Sequence, residues 1–209
     1  MFKEFEKRLI TSLILIPISI FFIFKGSIFF IFFLSILFLA ASYEWILMSK
    51  KDNLLKLLGI IFLFFSFFSA FKYGENYKDF LFIMTICIFT DLGGYIFGKI
   101  FKGPKLTKIS PKKTYAGVLG GFILSLVTGF IFWHYVDNGR ILPNEEIIIF
   151  IFILFISLIS QIGDLIISYF KRKAKLKDAG KILPGHGGLL DRIDGMIFVF
   201  PFCYLITMI

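Results

Sequence analysis

Residues 147–170 read IIIFIFILFISLISQIGDLIISYF, twenty-four residues with a single ionisable side chain, Asp164. About 20 apolar residues cross the hydrocarbon core of a bilayer as an α-helix, so this run predicts a transmembrane helix. Six further apolar runs flank it: Leu9 to Phe24, Ser27 to Met48, Leu54 to Phe71, Phe80 to Gly98, Ala116 to Val136 and Ile193 to Ile209. Together they occupy most of the 209 residues and leave no room for a separate soluble domain of about 100 residues. Composition points the same way, with 58% hydrophobic and 18% charged residues, against about 25% charged in ordinary soluble domains, and a mean hydropathy of +0.88. The expectation is an all-α, polytopic membrane protein of about seven transmembrane helices. Residues 1–209 form one integral membrane domain, with N-terminal apolar spans over 1–78 and a second half over 79–209.

The first run follows a short basic stretch, but no small-residue cleavage site comes after it and Lys25-Gly26 leads straight into the next run. It therefore reads as a retained span rather than a signal peptide. Pro17 lies inside it and predicts a kink. The two cysteines, Cys87 and Cys203, both fall within apolar runs and give neither a disulfide framework nor metal-ligand spacing.

A formal charge of +9 could suggest nucleic acid. In a membrane protein, lysine and arginine first report topology and contact with anionic head groups, so no nucleic-acid partner is expected. With seven alternating spans, nineteen of the 23 basic residues fall on one side, from Lys3, Lys7 and Arg8, through Lys50, Lys51 and Lys56, to the stretches 99–113 and 171–192. Only Lys25, Lys72, Lys78 and Arg140 fall on the other. The positive-inside rule then predicts a cytoplasmic N-terminus and a C-terminus on the far side. Two of the cytoplasmic connections, Lys99 to Tyr115 and Lys171 to Asp191, are long and mix Gly, Pro and Lys. Irregular backbone with free amides and ammonium groups suits phosphate, although charge alone fits orientation and lipid contact better than a substrate site.

An ionisable group near the centre of a span costs at least about 2.5 kcal/mol on insertion scales, so Asp91, Asp164, Asp191 and Asp194 need a reason, with Glu44 a weaker fifth case. Asp164 lies near the cytoplasmic end of the sixth span, and Asp191 and Asp194 open the seventh from the same side. Their i, i+3 spacing puts both on one helical face, as i, i+4 does for Asp164 and Ser168. Three carboxylates without thiols, and with His186 as the one imidazole nearby, are hard oxygen ligands suited to magnesium rather than zinc. The alternative is three separate ion pairs, such as Asp191 with Arg192 or Asp164 with Lys171.

Residues 168–194 read SYFKRKAKLKDAGKILPGHGGLLDRID. This stretch resembles the signature of the phosphatidate cytidylyltransferases, or CDP-diacylglycerol synthases, at Ser168, Lys171, Arg172, Lys177, Asp178, His186, Gly187, Gly188, Asp191, Arg192 and Asp194. Ser110-Pro111-Lys112-Lys113-Thr114 with Gly117, and Asp91 with Tyr95 and Gly98, are also similar to family elements, and Gly94 stands where the family usually has alanine. The resemblance covers Asp91 to Asp194, while the N-terminal half is similar only as apolar spans and the chain is shorter than typical members.

The resemblance implies transfer of the cytidylyl group of CTP to phosphatidic acid, giving CDP-diacylglycerol and pyrophosphate, by a homodimer in a bacterial cell membrane. It assigns Asp164, Asp191 and Asp194 to a magnesium centre with room for a second monovalent or divalent cation. Lys112, Lys113, Lys171 and Arg172 become candidates for the triphosphate, with Gly187 and Gly188 letting backbone amides approach. Ser168, Lys177, Arg192 and Asp91 are further substrate-binding candidates, and His186 would contact a phosphate or orient an aspartate. Two other readings are a CTP-dependent kinase acting on a membrane polyprenol, and an ion-coupled transporter, against which stands the lack of an internal repeat.

Overall fold

A computed structural model describes residues 2–50, 52–107, 109–137 and 146–207. Lys51, Lys108 and Arg140 of the charge map, and the last two residues of the seventh run, lie outside the described residues. Eight helices follow one another: α1 (Phe2–Lys25), α2 (Ser27–Met48), α3 (Asn53–Gly74), α4 (Tyr77–Phe101), α5 (Tyr115–Phe132), α6 (Glu146–Lys173), α7 (Leu190–Ile193) and α8 (Met196–Thr207). A π-helical turn, Trp133–Asp137, prolongs α5. Pro17 sits inside α1 without dividing it. Short polar side chains start the later helices by accepting backbone N–H groups that lack a partner in the first turn. Asp52 accepts from Leu55 and Thr114 from Gly117, at 2.9 and 3.1 Å.

Helices α1 to α6 are long and apolar enough to cross a membrane. The seventh apolar run is not one helix. It divides into the single turn α7 and the twelve-residue α8, and at 1.5 Å per residue α8 covers about 18 Å of a core about 30 Å thick. The division falls where the Asp194 carboxylate accepts the N–H of Gly195 at 2.9 Å, a local side-chain bond that competes with the helical ladder. Gly195 in turn lies directly against Ser160 of α6.

The bundle core is formed by Phe30 of α2, Phe82, Ile83 and Ile86 of α4, Ile149, Ile153 and Ile156 of α6 and Val199 of α8, all essentially inaccessible. Outward-facing positions are as apolar as the core, Ile28, Phe32, Leu39, Phe64 and Ile147 among them, the arrangement expected where lipid replaces water. Inside, small polar groups join helices. Thr90 of α4 donates to the Ile86 carbonyl and to Ser157 of α6, at 2.8 and 2.9 Å. Helices α4 and α5 approach so closely that a methyl group on Gly93 would strike the Gly120 carbonyl, and one on Gly120 would strike Phe97. Small residues at such crossings let backbones meet.

Contacts sort the connections into two ends. At one end, the start of α1 bonds to the segment after α6 through Arg8 and the Gly185 carbonyl. The segment between α4 and α5 reaches α6 there through Lys113 and Asp164, and Lys50 after α2 lines one groove with Lys173. At the other end, Phe24 meets Tyr77, Lys78 donates to the Val136 carbonyl and Tyr73 meets Thr207. The lysine-rich connections thus share one end of the bundle, as the alternation of spans requires. Gly120→Val should force α4 and α5 apart at an overpacking cost of about 1–3 kcal/mol. The expected result is an unfolding midpoint in detergent lower by roughly 5 °C, read by scanning fluorimetry, whereas the lipid-facing Leu39→Val should leave it unchanged.

Candidate active site

Helix α6 presents Asp164, Ser168 and Lys171 at i, i+4 and i+7, one face of a helix. Ser168 donates to Asp164 Oδ1 at 3.2 Å, and Lys113 Nζ stands 2.6 Å from Asp164 Oδ2. Asp194, 6% exposed at the break between α7 and α8, brings its carboxyl group into hydrogen-bonding contact with that of Asp164. Two carboxyl groups in contact inside a membrane protein need positive charge beside them, and here Lys113 and Lys171 supply it.

Asp191 is held apart from this pair. Its Oδ1 accepts from Lys171 Nζ at 2.6 Å, with both side chains about nine-tenths buried, and its Oδ2 accepts from the amides of Ala179 and Gly188 at 2.8 and 3.1 Å. Among the described residues, no three Asp, Glu, His or Cys side chains converge on one point. The sequence reading grouped three aspartates because it knew their end of the bundle but not their neighbours. In the structure Asp164 and Asp194 meet, and Asp191 ties the 171–191 segment together through Lys171.

A cavity of about 290 Å³ opens beside the carboxyl pair, walled by α4, the 102–114 segment and α6. Asp91, Ser110, Lys112, Lys113 and Asp164 line it. Residues 102–107 and 109–114 lie against each other rather than as loose backbone, with Leu106 N–H donating to the Lys113 carbonyl at 2.8 Å and Tyr115 N–H to that of Pro104 at 3.2 Å. Its threonine, Thr114, starts α5, and a methyl group on Gly98 of α4 would crowd that threonine's hydroxyl. Together they fix the two lysines over the cavity.

The 174–189 segment is also folded, and the amides of its glycine pair are engaged. Gly187 N–H donates to the Leu183 carbonyl and Gly188 N–H to Asp191, so the two glycines serve close packing here rather than offering free amides. His186 lies away from the cavity wall, its Nε2 3.3 Å from Ser12 Oγ of α1. Burial first, then the Arg192 guanidinium and more weakly that of Arg8, hold its imidazole below the ordinary range. Arg172 is exposed and donates to the Leu176 carbonyl, and Lys177 lines a separate surface groove.

Glu44 of α2 carries far more than the sequence suggested. It is 0% exposed, and its two oxygens accept the N–H groups of Leu189 and Leu190 at 3.0 and 2.8 Å, where α7 begins. Gly180 and Gly188 leave it room, since a methyl group on either would collide with its carboxylate. The only signal in the sequence was an acid in a span. Its partners are backbone amides, which no side-chain pattern reveals.

Residues 52–209 match the profile of the Cytidylyltransferase family. The chain belongs to the cytidylyltransferase family. Among similar proteins, the phosphatidate cytidylyltransferase of Rickettsia felis is 31% identical over 214 residues, which cover 97% of this chain and 92% of that one. That of Bacillus subtilis is 42% identical over 137 residues, 65% of this chain and 48% of its own. That of Staphylococcus aureus is 42% identical over 144 residues, 68% and 52% of the two chains. The chain therefore spans almost the whole of the first relative it matches and about half of the other two. Both Glu44 and helix α1 precede the matched family profile.

Glu44→Gln replaces one acceptor oxygen by an NH₂ group facing a backbone N–H. A buried donor left without a partner costs about 1–3 kcal/mol. The variant should insert normally yet unfold at lower temperature and lose protection of the Leu189 and Leu190 amides in hydrogen exchange, whereas Glu6→Gln should change neither.

Proposed function

We propose that this chain transfers the cytidylyl group of CTP to phosphatidic acid, forming CDP-diacylglycerol and pyrophosphate at a membrane. The observation that carries this reading is the cavity lined by Lys112, Lys113, Asp91 and Asp164, with Lys113 paired to Asp164, in a chain of the cytidylyltransferase family. The relatives named as phosphatidate cytidylyltransferases support the same acceptor.

The chemistry suits these residues. A phosphate monoester is already an anionic nucleophile near neutral pH, so no strong general base is required. One of its oxygens attacks the α-phosphorus of CTP while the bond to the β-phosphate oxygen breaks, and pyrophosphate leaves. The difficulty is bringing two anions in line, and lysine contacts that spread the developing charge address it. Lys112 and Lys113 meet the triphosphate, with Lys113 turning from Asp164 to do so. Lys171 stays on Asp191 and adds positive charge beside Asp164 and Asp194. The paired carboxyl groups of Asp164 and Asp194 fit a hard cation, so they are the residues that would hold magnesium and, if present, a second cation. Bound there, magnesium supplies charge neutralisation for the phosphates. Asp191 joins only by releasing Lys171. Ser168 orients Asp164, and Asp91 lines the cavity opposite.

The orientation in this reading is a multi-pass protein of a bacterial inner membrane, with the N-terminus and the cavity on the cytoplasmic side. The common end of the lysine-rich connections supports it. A homodimer belongs to the same reading through the family resemblance, and native mass spectrometry from nanodiscs tests it.

Purified protein with phosphatidic acid, α-labelled CTP and magnesium should place label in the lipid fraction and release pyrophosphate. Release of CDP with phosphate transfer to a polyprenol would replace this reading by the kinase. Asp194→Asn should abolish transfer at saturating magnesium while inserting normally, and full activity would remove Asp194 from the site. Lys112→Ala combined with Lys113→Ala should raise the KM for CTP about tenfold or more with a smaller effect on the lipid. An equal effect on both substrates would point to general charge attraction.

A further inference from the structure

A second cavity, of about 420 Å³, lies between α1, α2 and α8. It runs from Phe22 and Phe80 at its deep end to Leu15, Leu183 and Leu189 at the cytoplasmic end, and its wall is almost wholly apolar. A cavity without polar partners does not hold water well, and hydrocarbon is the surrounding solvent of a membrane protein. Helix α1 closes one side of it. Only 11% of that span is buried, the least of the six long helices, so α1 is the loosest wall.

Polar chemistry gathers where this cavity ends. Thr11 of α1 donates to the Pro184 carbonyl at 2.9 Å and Ser12 meets His186. Arg8 Nε donates to the Gly185 carbonyl at 2.7 Å and Arg192 Nη2 to the His186 carbonyl at 2.6 Å. Among the described residues neither guanidinium is paired with a carboxylate. Each has five donors, and one of the five is engaged in each of these bonds. Two guanidinium groups above an apolar cavity match the polarity of an anionic phospholipid, phosphate at the interface and chain below. The Arg192 guanidinium also acts electrostatically on Asp91, which lines the first cavity.

We propose that the acceptor lipid binds at this second cavity, with an acyl chain between α1, α2 and α8 and its phosphate monoester on Arg8 and Arg192. The assignment rests on the reading that the acceptor is phosphatidic acid, and it gives α1, outside the matched family profile, a role in holding that substrate.

The test uses the full chain in phosphatidylcholine nanodiscs without CTP, with a phosphatidic acid carrying a diazirine in its acyl chain, followed by peptide mapping. Adducts are expected on cavity residues of α1 and α8, such as Phe22 and Met196. Excess phosphatidic acid should suppress them, and excess phosphatidylglycerol should not. Adducts confined to outward faces, or equal suppression by both lipids, would overturn the proposal, because bulk lipid then fills the cavity. Ala40→Phe, which narrows the cavity, should reduce labelling. Arg8→Ala should reduce it too and raise the KM for phosphatidic acid about tenfold, with the KM for CTP within about twofold. Arg8→Lys should recover part of the loss, and equal changes in both KM values would overturn the role of Arg8. If competable labelling persists on the cavity but no cytidylyl transfer occurs, the lipid site stands and the reaction reading falls.

Discussion

A carboxylate removed from water must be answered by donors or by charge, and this constraint orders the lysine-rich end of the bundle. Glu44 is answered by two amides at the start of α7, Asp191 by two amides and Lys171, Asp164 by Lys113 and Ser168. Each answer ties together segments far apart in the chain. Glu44 joins α2 to α7, Lys113 joins the segment before α5 to α6, and Asp191 joins α7 to α6. Leaving such a group unanswered in low dielectric costs several kcal/mol, so the acids act as fasteners as well as candidate chemistry.

The fasteners divide the labour among the aspartates. Asp191, with both oxygens engaged, shapes the 171–191 segment. Asp164 interacts with Asp194 and borders the cavity, where Lys113 supplies its positive charge. The break in the seventh span serves the same arrangement. Gly195 against Ser160 lets α7 and α8 come close to α6, and Asp194, at the break, turns inward toward Asp164. A straight helix of the same composition would have crossed the membrane more simply, but without the local bend that Asp194 makes with the Gly195 amide.

Glycine plays a parallel part by removing side chains where backbone or carboxylate must pass. The α4–α5 crossing at Gly93 and Gly120 brings Asp91 and the Lys112-Lys113 segment to the same cavity. Gly180 and Gly188 make the space that Glu44 fills. In the 168–194 signature, the resemblance suggested glycines for approach to phosphate. Gly188 instead packs on two carboxylates of the protein itself, and its amide is taken.

The sequence by itself determined the membrane class, the limits of five of the six long helices to within about four residues of the apolar runs, with α1 starting well before its run, and the end of the bundle to which the basic connections go. Those follow from hydropathy, length and alternation, which are properties of segments read one at a time. The signature at 168–194 also named Lys171, Asp191 and Asp194, whereas the charged residues that line the cavity, Asp91, Lys112, Lys113 and Asp164, lie upstream of it. Only the tertiary structure decided which acids meet. It paired Asp164 with Asp194, turned Asp191 toward Lys171, drew His186 toward α1, and made Glu44 an anchor of the signature. The physical reason is that the partners of these groups are largely backbone amides and carbonyls, present at every residue and so invisible in a sequence, and the folded chain alone selects the few that lie within 3 Å or so of a buried charge.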